Sequence, residues 1–240
     1  MRIGVLGAAG RMGQTVCEAV SGDSDLELVA QLDIGDSIDE LKNSECDVVV
    51  DFTQADSARQ NLLEVASYGI HAVVGTTGLN DDDIKNLDGA FTNSSCLIVP
   101  NFAIGAVLMM QFAQQAAPYF ESAEVIELHH NKKVDAPSGT AMETVKRMAE
   151  ASSDLASDPT EKETLPDARG AEHSSGIRIH SVRLQGLVAH QEVLLGTTGQ
   201  SLSIRHDTYD RTAFMPGVLL AVKNVAKLPT GVTTGLEQVL

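Results

Sequence analysis

The densest chemistry in the chain lies in Glu127-Leu128-His129-His130-Asn131-Lys132-Lys133-Val134-Asp135-Ala136-Pro137-Ser138-Gly139-Thr140-Ala141. Two adjacent histidines close a strand-like alternation. Lys133 follows three residues after His130, and Ser138-Gly139-Thr140 opens a helical pattern with Ser138 placed as its N-cap. Imidazoles exchange protons near neutrality, while an ammonium and the amides of a helix start attract carboxylates. Together these groups describe a pocket for a small dianion beside a proton donor. The competing reading is a capped helix behind a polar loop with surface cations. An isolated His-His pair would favour that reading; Lys133 and the Ser-Gly-Thr helix start tip the balance the other way.

A second constellation lies at the start of the chain. Val5-Leu6-Gly7-Ala8-Ala9-Gly10-Arg11-Met12-Gly13 reads as a strand, a tight turn and a helix. Gly7 permits the turn, Gly10 lets the backbone approach a pyrophosphate, and Gly13 lets the helix pack closely. The free N–H groups and positive dipole end of that helix would hold the phosphates of a dinucleotide. The spacing is GxxGxxG rather than GxGxxG, and alone it marks only a glycine turn. Asp33 strengthens it, because it ends the second strand-like run twenty residues after Gly13, where a carboxylate can hold ribose hydroxyls. That carboxylate repels a 2′-phosphate and the next residue is Ile34, so NADH is the expected cofactor. Arg11 is the nearby cation that could tolerate the phosphate, which leaves NADPH open as a second cofactor.

These residues need elements to position them. Short apolar runs at Ile3–Leu6, Leu26–Leu32, Val48–Val50, Ala72–Val74 and Leu97–Val99 alternate with helical stripes such as Met12, Val16, Ala19 and Val20. That alternation predicts a parallel sheet covered on both faces, with ligands outside the carboxyl ends of the strands. The loops after Leu6, Leu32, Val50, Val74 and Val99 would line one crevice. From about residue 103 the pattern changes. Gly105–Phe120 and Ser138–Ala151 read as helices, and Glu124–His130, Ile177–Leu187, Gln191–Leu195 and Leu202–His206 read as strands. Residues 152–176 read as a long exposed loop. Ala213–Ala226 is a final apolar helix that could return to cover the first sheet. The expected fold is therefore α/β: a Rossmann-like parallel-sheet dinucleotide-binding domain over 1–103 with 213–240, and an α+β substrate-binding and oligomerisation domain with a mixed sheet over 104–212.

Composition narrows the function classes. The chain has 240 residues, 43% of them hydrophobic, which is enough for real cores and too many for a disordered tail. A net charge of −16 makes nucleic acid an unlikely partner, and solubility is the preferred reason for the acidity. No apolar run is long enough to span a membrane. Cys17, Cys46 and Cys96 are widely spaced and read as buried thiols. With no signal-peptide layout at the N-terminus, they point to a reducing cytoplasm. No His/Cys or carboxylate cluster suggests a metal site. Lys132 reads as solvated, His71 as a surface or capping residue, His173 as a loop residue, and His180 and His190 as hydrogen-bonded structural residues. His206-Asp207 reads as a supporting pair for which structural use is favoured.

The long segment Glu127 to Ala141 resembles the hallmark of the dihydrodipicolinate reductase family, whose members act in the diaminopimelate route to lysine. The resemblance extends over the whole chain. It includes Gly7 to Gly13, Asp51-Phe52-Thr53, Val74-Gly75-Thr76-Thr77-Gly78, Pro100-Asn101-Phe102-Ala103-Ile104-Gly105 and His206-Asp207 to Phe214. It implies NAD(P)H-dependent reduction of 4-hydroxy-tetrahydrodipicolinate, by way of dihydrodipicolinate, to tetrahydrodipicolinate. It also implies roles: His129 as proton donor and acceptor, Lys133 as proton donor, His130 on the substrate, and Gly139 and Thr140, behind the Ser138 cap, on one carboxylate. Cofactor contacts would fall to Gly7, Ala8, Ala9, Gly10, Arg11 and Met12, to Asp33, to Gly75, Thr76 and Thr77, and to Val99, Pro100, Asn101 and Phe102. The family is typically a homotetramer built through the second domain's sheet. Its glycine turn often carries glycine or lysine where this chain has Ala9, so one contact to a 2′-phosphate is missing. The rival readings are another nicotinamide-dependent imine or semialdehyde reductase, and a dinucleotide-sensing binding protein.

Overall fold

The structure, a computed structural model, describes residues 1–152, 155, 156 and 158–240. The chain divides into two compact units, Met1–Ile104 with Arg211–Leu240, and Gly105–Asp210.

The first unit is built on a six-stranded sheet. Its strands are β1 (Arg2–Leu6), β2 (Glu27–Leu32), β3 (Val48–Asp51), β4 (His71–Val74), β5 (Ser95–Ile98) and a late strand, Gly231–Thr234. The order is late strand-β5-β4-β3-β1-β2, and every pairing is parallel. All four residues of β3 and of β5 are buried, as expected of parallel strands covered on both faces. Helices α1 (Arg11–Gly22), α2 (Asp39–Asn43), α3 (Ala55–Ser67) and α4 (Asp81–Ala90) connect the strands. The strand order reverses between β1 and β3, which makes the space above their carboxyl ends the favoured place for a ligand.

Two elements here escape the hydrophobic pattern. The run Asp81-Asp82-Asp83 is more than solubilising charge. Asn80 and Asp83 form a reciprocal capping box, and all three carboxylates sit in the first turn of α4, where the helix dipole favours them. The late strand Gly231–Thr234 is only four residues long and gains its partner, β5, from far back in the chain. The final helix, Met215–Asn224, is shorter than its apolar stretch; 3₁₀ turns at Arg211–Phe214 and Val225–Lys227 flank it. It packs on α1 and β4, covering the first sheet.

The second unit carries α5 (Ile104–Ala116), β6 (Ser122–His129), α6 (Gly139–Ala151), β7 (Ala171–Glu172), β8 (Arg178–Arg183), β9 (Ala189–Thr197) and β10 (Gln200–Thr208). The final helix and late strand of the first unit are accordingly α7 and β11. The sheet order is β10-β9-β6-β8-β7, mixed, with β6 and β8 parallel and the other pairs antiparallel. Along β6 the side chains alternate: Ala123 and Val125 join the core with Ala141, Val145 and Met148 of α6, and Glu127 and His129 continue that same face beyond the apolar patch. The segment 152–176 is less uniformly exposed than its composition suggests. Leu155 joins the core, Asp158 is buried between Arg169 and Arg178, and β7 pairs with β8. Residues 153, 154 and 157 of that expected loop lie outside the described residues.

Candidate active site

In the first unit the site is made mostly of backbone. Gly7 sits at φ +77, and a Cβ there would lie 2.7 Å from the Phe52 carbonyl oxygen. A Cβ on Gly13 would fall 2.0 Å from the Gly7 oxygen and 2.8 Å from the Ala8 Cα, so α1 can approach the turn only with glycine at that position. Gly10 is the N-cap of α1, extended and without a side-chain cap, so the amides that open the helix at Arg11 and Met12 are left to another acceptor. The turn is pinned from beneath: the Gly7 and Ala8 amides donate to the Leu32 oxygen at 2.8 and 3.1 Å.

Asp33 closes the arrangement. Its carboxylate accepts from the Ile34 amide at 2.8 Å and the Ala9 amide at 2.7 Å. Those two bonds, Ile34 first, hold it below the ordinary carboxylate range. A cleft of about 490 Å³ opens over it, lined by Gly7, Gly10, Asp33, Asp36, Phe52 and Asn61 among others. The glycine cradle, the uncapped helix start and the ionised carboxylate beside a cleft all fit a dinucleotide.

The next two loops join this arrangement through a buried carboxylate. Asp51, at the end of β3, is fully buried; its Oδ1 accepts from the Thr53 amide (3.0 Å), the Thr53 hydroxyl (2.8 Å) and the Thr76 hydroxyl (2.5 Å). Burial raises its pKa, against the hydrogen bonds from Thr76 and Thr53. Thr76 is thus a buried anchor, while Thr77 beside it is exposed. Gly75 has no room for a side chain, since a Cβ would lie 2.2 Å from the Phe52 ring. After β5, Val99 donates to the Val74 oxygen at 2.8 Å, Pro100 is exposed, and Asn101 Oδ1 accepts from the Ala103 amide at 2.9 Å. The Phe102 ring packs 5.5 Å from that of Phe52.

In the second unit the site is made of charged side chains that satisfy one another. Glu127 is fully buried at the end of β6. Its carboxylate takes a two-pronged bond from Arg183, at 2.8 and 2.9 Å, and a short hydrogen bond from His129 Nδ1. It also accepts from the Ser138 amide at 3.3 Å. Burial pushes the Glu127 carboxyl up, but Arg183, Ser181 and His129 outweigh it and hold it below the usual range. Burial depresses the His129 imidazole; Glu127 works against that, and Lys133 and Arg183 reinforce it. The lowered pKa favours the neutral imidazole, and the Glu127 carboxylate favours the proton on Nδ1, which leaves a lone pair at Nε2.

The remaining residues of the segment surround this pair. Lys133 Nζ binds both Asp135 oxygens, at 2.7 and 2.8 Å, and Asp135 is held below its ordinary range as a result. His130 is exposed, and its Nδ1 accepts from the Lys132 amide at 3.2 Å. Ser138 is the N-cap of α6, accepting from the Ala141 amide at 3.2 Å. Gly139 and Thr140 open that helix, and a Cβ on Gly139 would meet nothing within 4 Å, leaving clear space at the positive helix end. Among the described residues no cluster of His, Cys, Asp and Glu could hold a metal ion.

The structure assigns partners to the other histidines. His180 bonds Glu124 at 2.7 Å, and His190 bonds Asp207 at 2.7 Å. Asp207 also pairs with Arg205 on its own face of the strand, and it acts on its neighbour His206 through its charge, opposing the burial that lowers that imidazole's pKa. His71 accepts from the Ser95 amide at 3.0 Å. All three cysteines are free and buried. Sequence reasoning gave no role to Glu127, Arg183, Asp135 or Asp51. Glu127 had a local signal: it lies two residues before His129 on one face of a strand, within a buried alternation. Arg183 had none, since it reaches the site only through the β6–β8 register that sets it opposite His129.

Residues 1–102 match the family described as Dihydrodipicolinate reductase, N-terminus, and residues 105–240 match Dihydrodipicolinate reductase, C-terminus. The chain is 54% identical to a 4-hydroxy-tetrahydrodipicolinate reductase of Mycolicibacterium smegmatis and 52% identical to one of Mycobacterium marinum, covering 100% of this chain and 99% of each relative. A solved dipicolinate-bound dihydrodipicolinate reductase from Paenisporosarcina sp. TG-14 superposes with a TM-score of 0.90 at 39% identity, over 100% of this chain and 99% of that one. A probable dehydrogenase from Thermotoga maritima, at TM-score 0.66 and 12% identity, shares the fold alone.

Proposed function

Since the chain belongs to the dihydrodipicolinate reductase family, we propose that it is a 4-hydroxy-tetrahydrodipicolinate reductase of lysine biosynthesis. The observation that carries this reading is the gathering of His129 and the capped start of α6 on one buried carboxylate, Glu127, with the Lys133 loop held by the Arg183 that grips it. The relatives' names and the dipicolinate in the solved neighbour support a small cyclic dicarboxylate as substrate.

The unit formed by 1–104 and 211–240 is the dinucleotide-binding domain, and 105–210 binds substrate. Gly7 through Met12 would hold the pyrophosphate and Asp33 the adenosine ribose, with Gly75-Thr76-Thr77 and Val99 through Phe102 as the further cofactor contacts. When bound there, a reduced nicotinamide would supply the hydride for C4 of the conjugated cyclic imine. This chain's residues handle charge and protons. Gly139 and Thr140 hold one substrate carboxylate at the α6 start, with Ser138 capping that turn, and His130 contacts the substrate. Negative charge moves toward the ring nitrogen as the hydride arrives, and the Lys133 ammonium meets it with a proton. His129, with Nε2 unprotonated, exchanges protons with the site. To serve the ring, Lys133 must exchange Asp135 for substrate.

NADH is the preferred cofactor and NADPH the weaker one, because Asp33 and Asp36 line the cleft where a 2′-phosphate would sit. The enzyme is a cytoplasmic homotetramer. The face of the second sheet opposite α6 carries Ile126, Leu128, Val182 and Leu194, all half-buried in the single chain, which supports assembly through that sheet. Sedimentation at assay concentration tests the tetramer. The activity is tested by following NADH oxidation with the cyclic imine dicarboxylate made by condensing pyruvate with aspartate semialdehyde. Consumption of NADH in step with the imine is expected; no consumption with either nicotinamide cofactor overturns the reading.

A further inference from the structure

We infer that Glu127 and Arg183 form a positioning pair that sets all three parts of the substrate site at once: the imidazole of His129, the loop bearing Lys133, and the helix start at Ser138. The inference rests on the function proposed above and adds to it two residues outside the reacting groups.

The contacts are distinct and converge on one carboxylate. Oε2 of Glu127 accepts from His129 Nδ1, which leaves Nε2 as the nitrogen that exchanges protons. Oε1 accepts from the Ser138 amide at 3.3 Å, fixing the residue whose hydroxyl caps α6. Arg183 grips both oxygens, and the same guanidinium donates to the Asp135 carbonyl at 2.7 Å. Asp135 lies two residues beyond Lys133 and holds its ammonium. A lone buried carboxylate would be costly, and the planar fork of Arg183 is what makes Glu127 tolerable at full burial.

The arrangement is also an electrostatic balance. The charged groups facing His129 are Glu127 on its own strand, Arg183 on β8, and Lys133 from the loop, whose charge Asp135 offsets. Glu127 favours the imidazolium and the two cations oppose it, so the pair sets where His129 titrates as well as which nitrogen it offers. Neither residue needs to touch substrate for this.

Two measurements on the full-length enzyme test the pair. Nitrogen-detected NMR of wild-type imidazoles is expected to show His129 as the Nδ1–H tautomer above its pKa, a readout that needs no turnover. Glu127→Gln keeps the shape and removes the charge. It is expected to lower kcat about 10²- to 10⁴-fold with NADH affinity unchanged, and to move the His129 titration to lower pH. Arg183→Lys, which keeps the charge but loses the fork, serves if Glu127→Gln fails to fold, and is expected to lower kcat by at least about tenfold. An Nε2–H tautomer, or kcat and pH profile unchanged in a folded variant, overturns the inference. Wild-type protein that shows the expected tautomer yet reduces no imine would instead sink the proposed function and leave the positioning pair standing.

Discussion

The two units build their sites from opposite materials. In the first, space is made by leaving side chains out: Gly7, Gly13 and Gly75 stand where a Cβ would strike backbone or an aromatic ring, and α1 begins without a side-chain cap. In the second, the site is crowded with charge that is already satisfied: Glu127 with Arg183 and His129, Lys133 with Asp135, Ser138 capping α6. A backbone cradle suits a ligand that brings its own charge and chemistry. A set of paired side chains suits a reaction in which protons must move and a dianion must displace an internal carboxylate.

That contrast can be broken or sharpened by substitution. Lys133→Ala should have the largest effect, about 10²- to 10⁴-fold on turnover, while calorimetry finds NADH affinity unchanged; equal loss of both would erase the division of labour. Gly13→Ala should act the other way. Its Cβ would lie 2.0 Å from a backbone oxygen, so the turn must open, costing about 1–3 kcal/mol in denaturant melts together with NADH binding. Gly139→Ala, by contrast, meets nothing within 4 Å and should leave folding intact while raising KM for the dicarboxylate. Asp33→Ala should weaken NADH by about 10- to 100-fold and narrow its advantage over NADPH, read by titrating each cofactor.

The smallest expected effect is on acid stability in the second unit. The hydroxyl of Thr160 bonds Asp158; burial opposes it, and the Thr160 amide and Arg169 add to it, so the carboxyl is held down from 3.8 to about 2. A carboxyl depressed in the folded state stabilises fully above its unfolded value and loses that contribution as pH falls through the folded one. Asp158→Asn should therefore lower stability slightly at neutral pH, and should flatten its pH dependence between 3.8 and about 2, where the wild type loses the same contribution.

The same contrast explains what could be read before the structure. The glycine turn, Asp33 and the Ser138 cap each carry a signature in the residue type and its place after a strand or before a helix, so pattern and spacing were enough even though Asp33 meets the turn only across two strands. The parallel sheet was legible because buried strands such as Val48–Asp51 read as unbroken apolar runs. The capping box of α4 was written in Asn80 and Asp83, yet its carboxylates pass for ordinary surface charge. β11 is four residues long and paired with a strand far back in sequence, so nothing nearby announces it. Arg183 is 56 residues from Glu127, and only the register of two parallel strands brings them together. What was missed is long-range pairing, as with Arg183 and β11, and local carboxylates whose partners make them more than surface charge, as with Asp83, Glu127 and Asp135.

The most direct measurement follows the hydride itself. NADH carrying deuterium at the transferred position of its nicotinamide is supplied with the cyclic imine dicarboxylate, and the product is analysed by mass spectrometry and NMR. One deuterium at C4 of the reduced ring is the predicted result. Product without the label, or label found only in solvent, would contradict direct transfer from the nucleotide to the dicarboxylate.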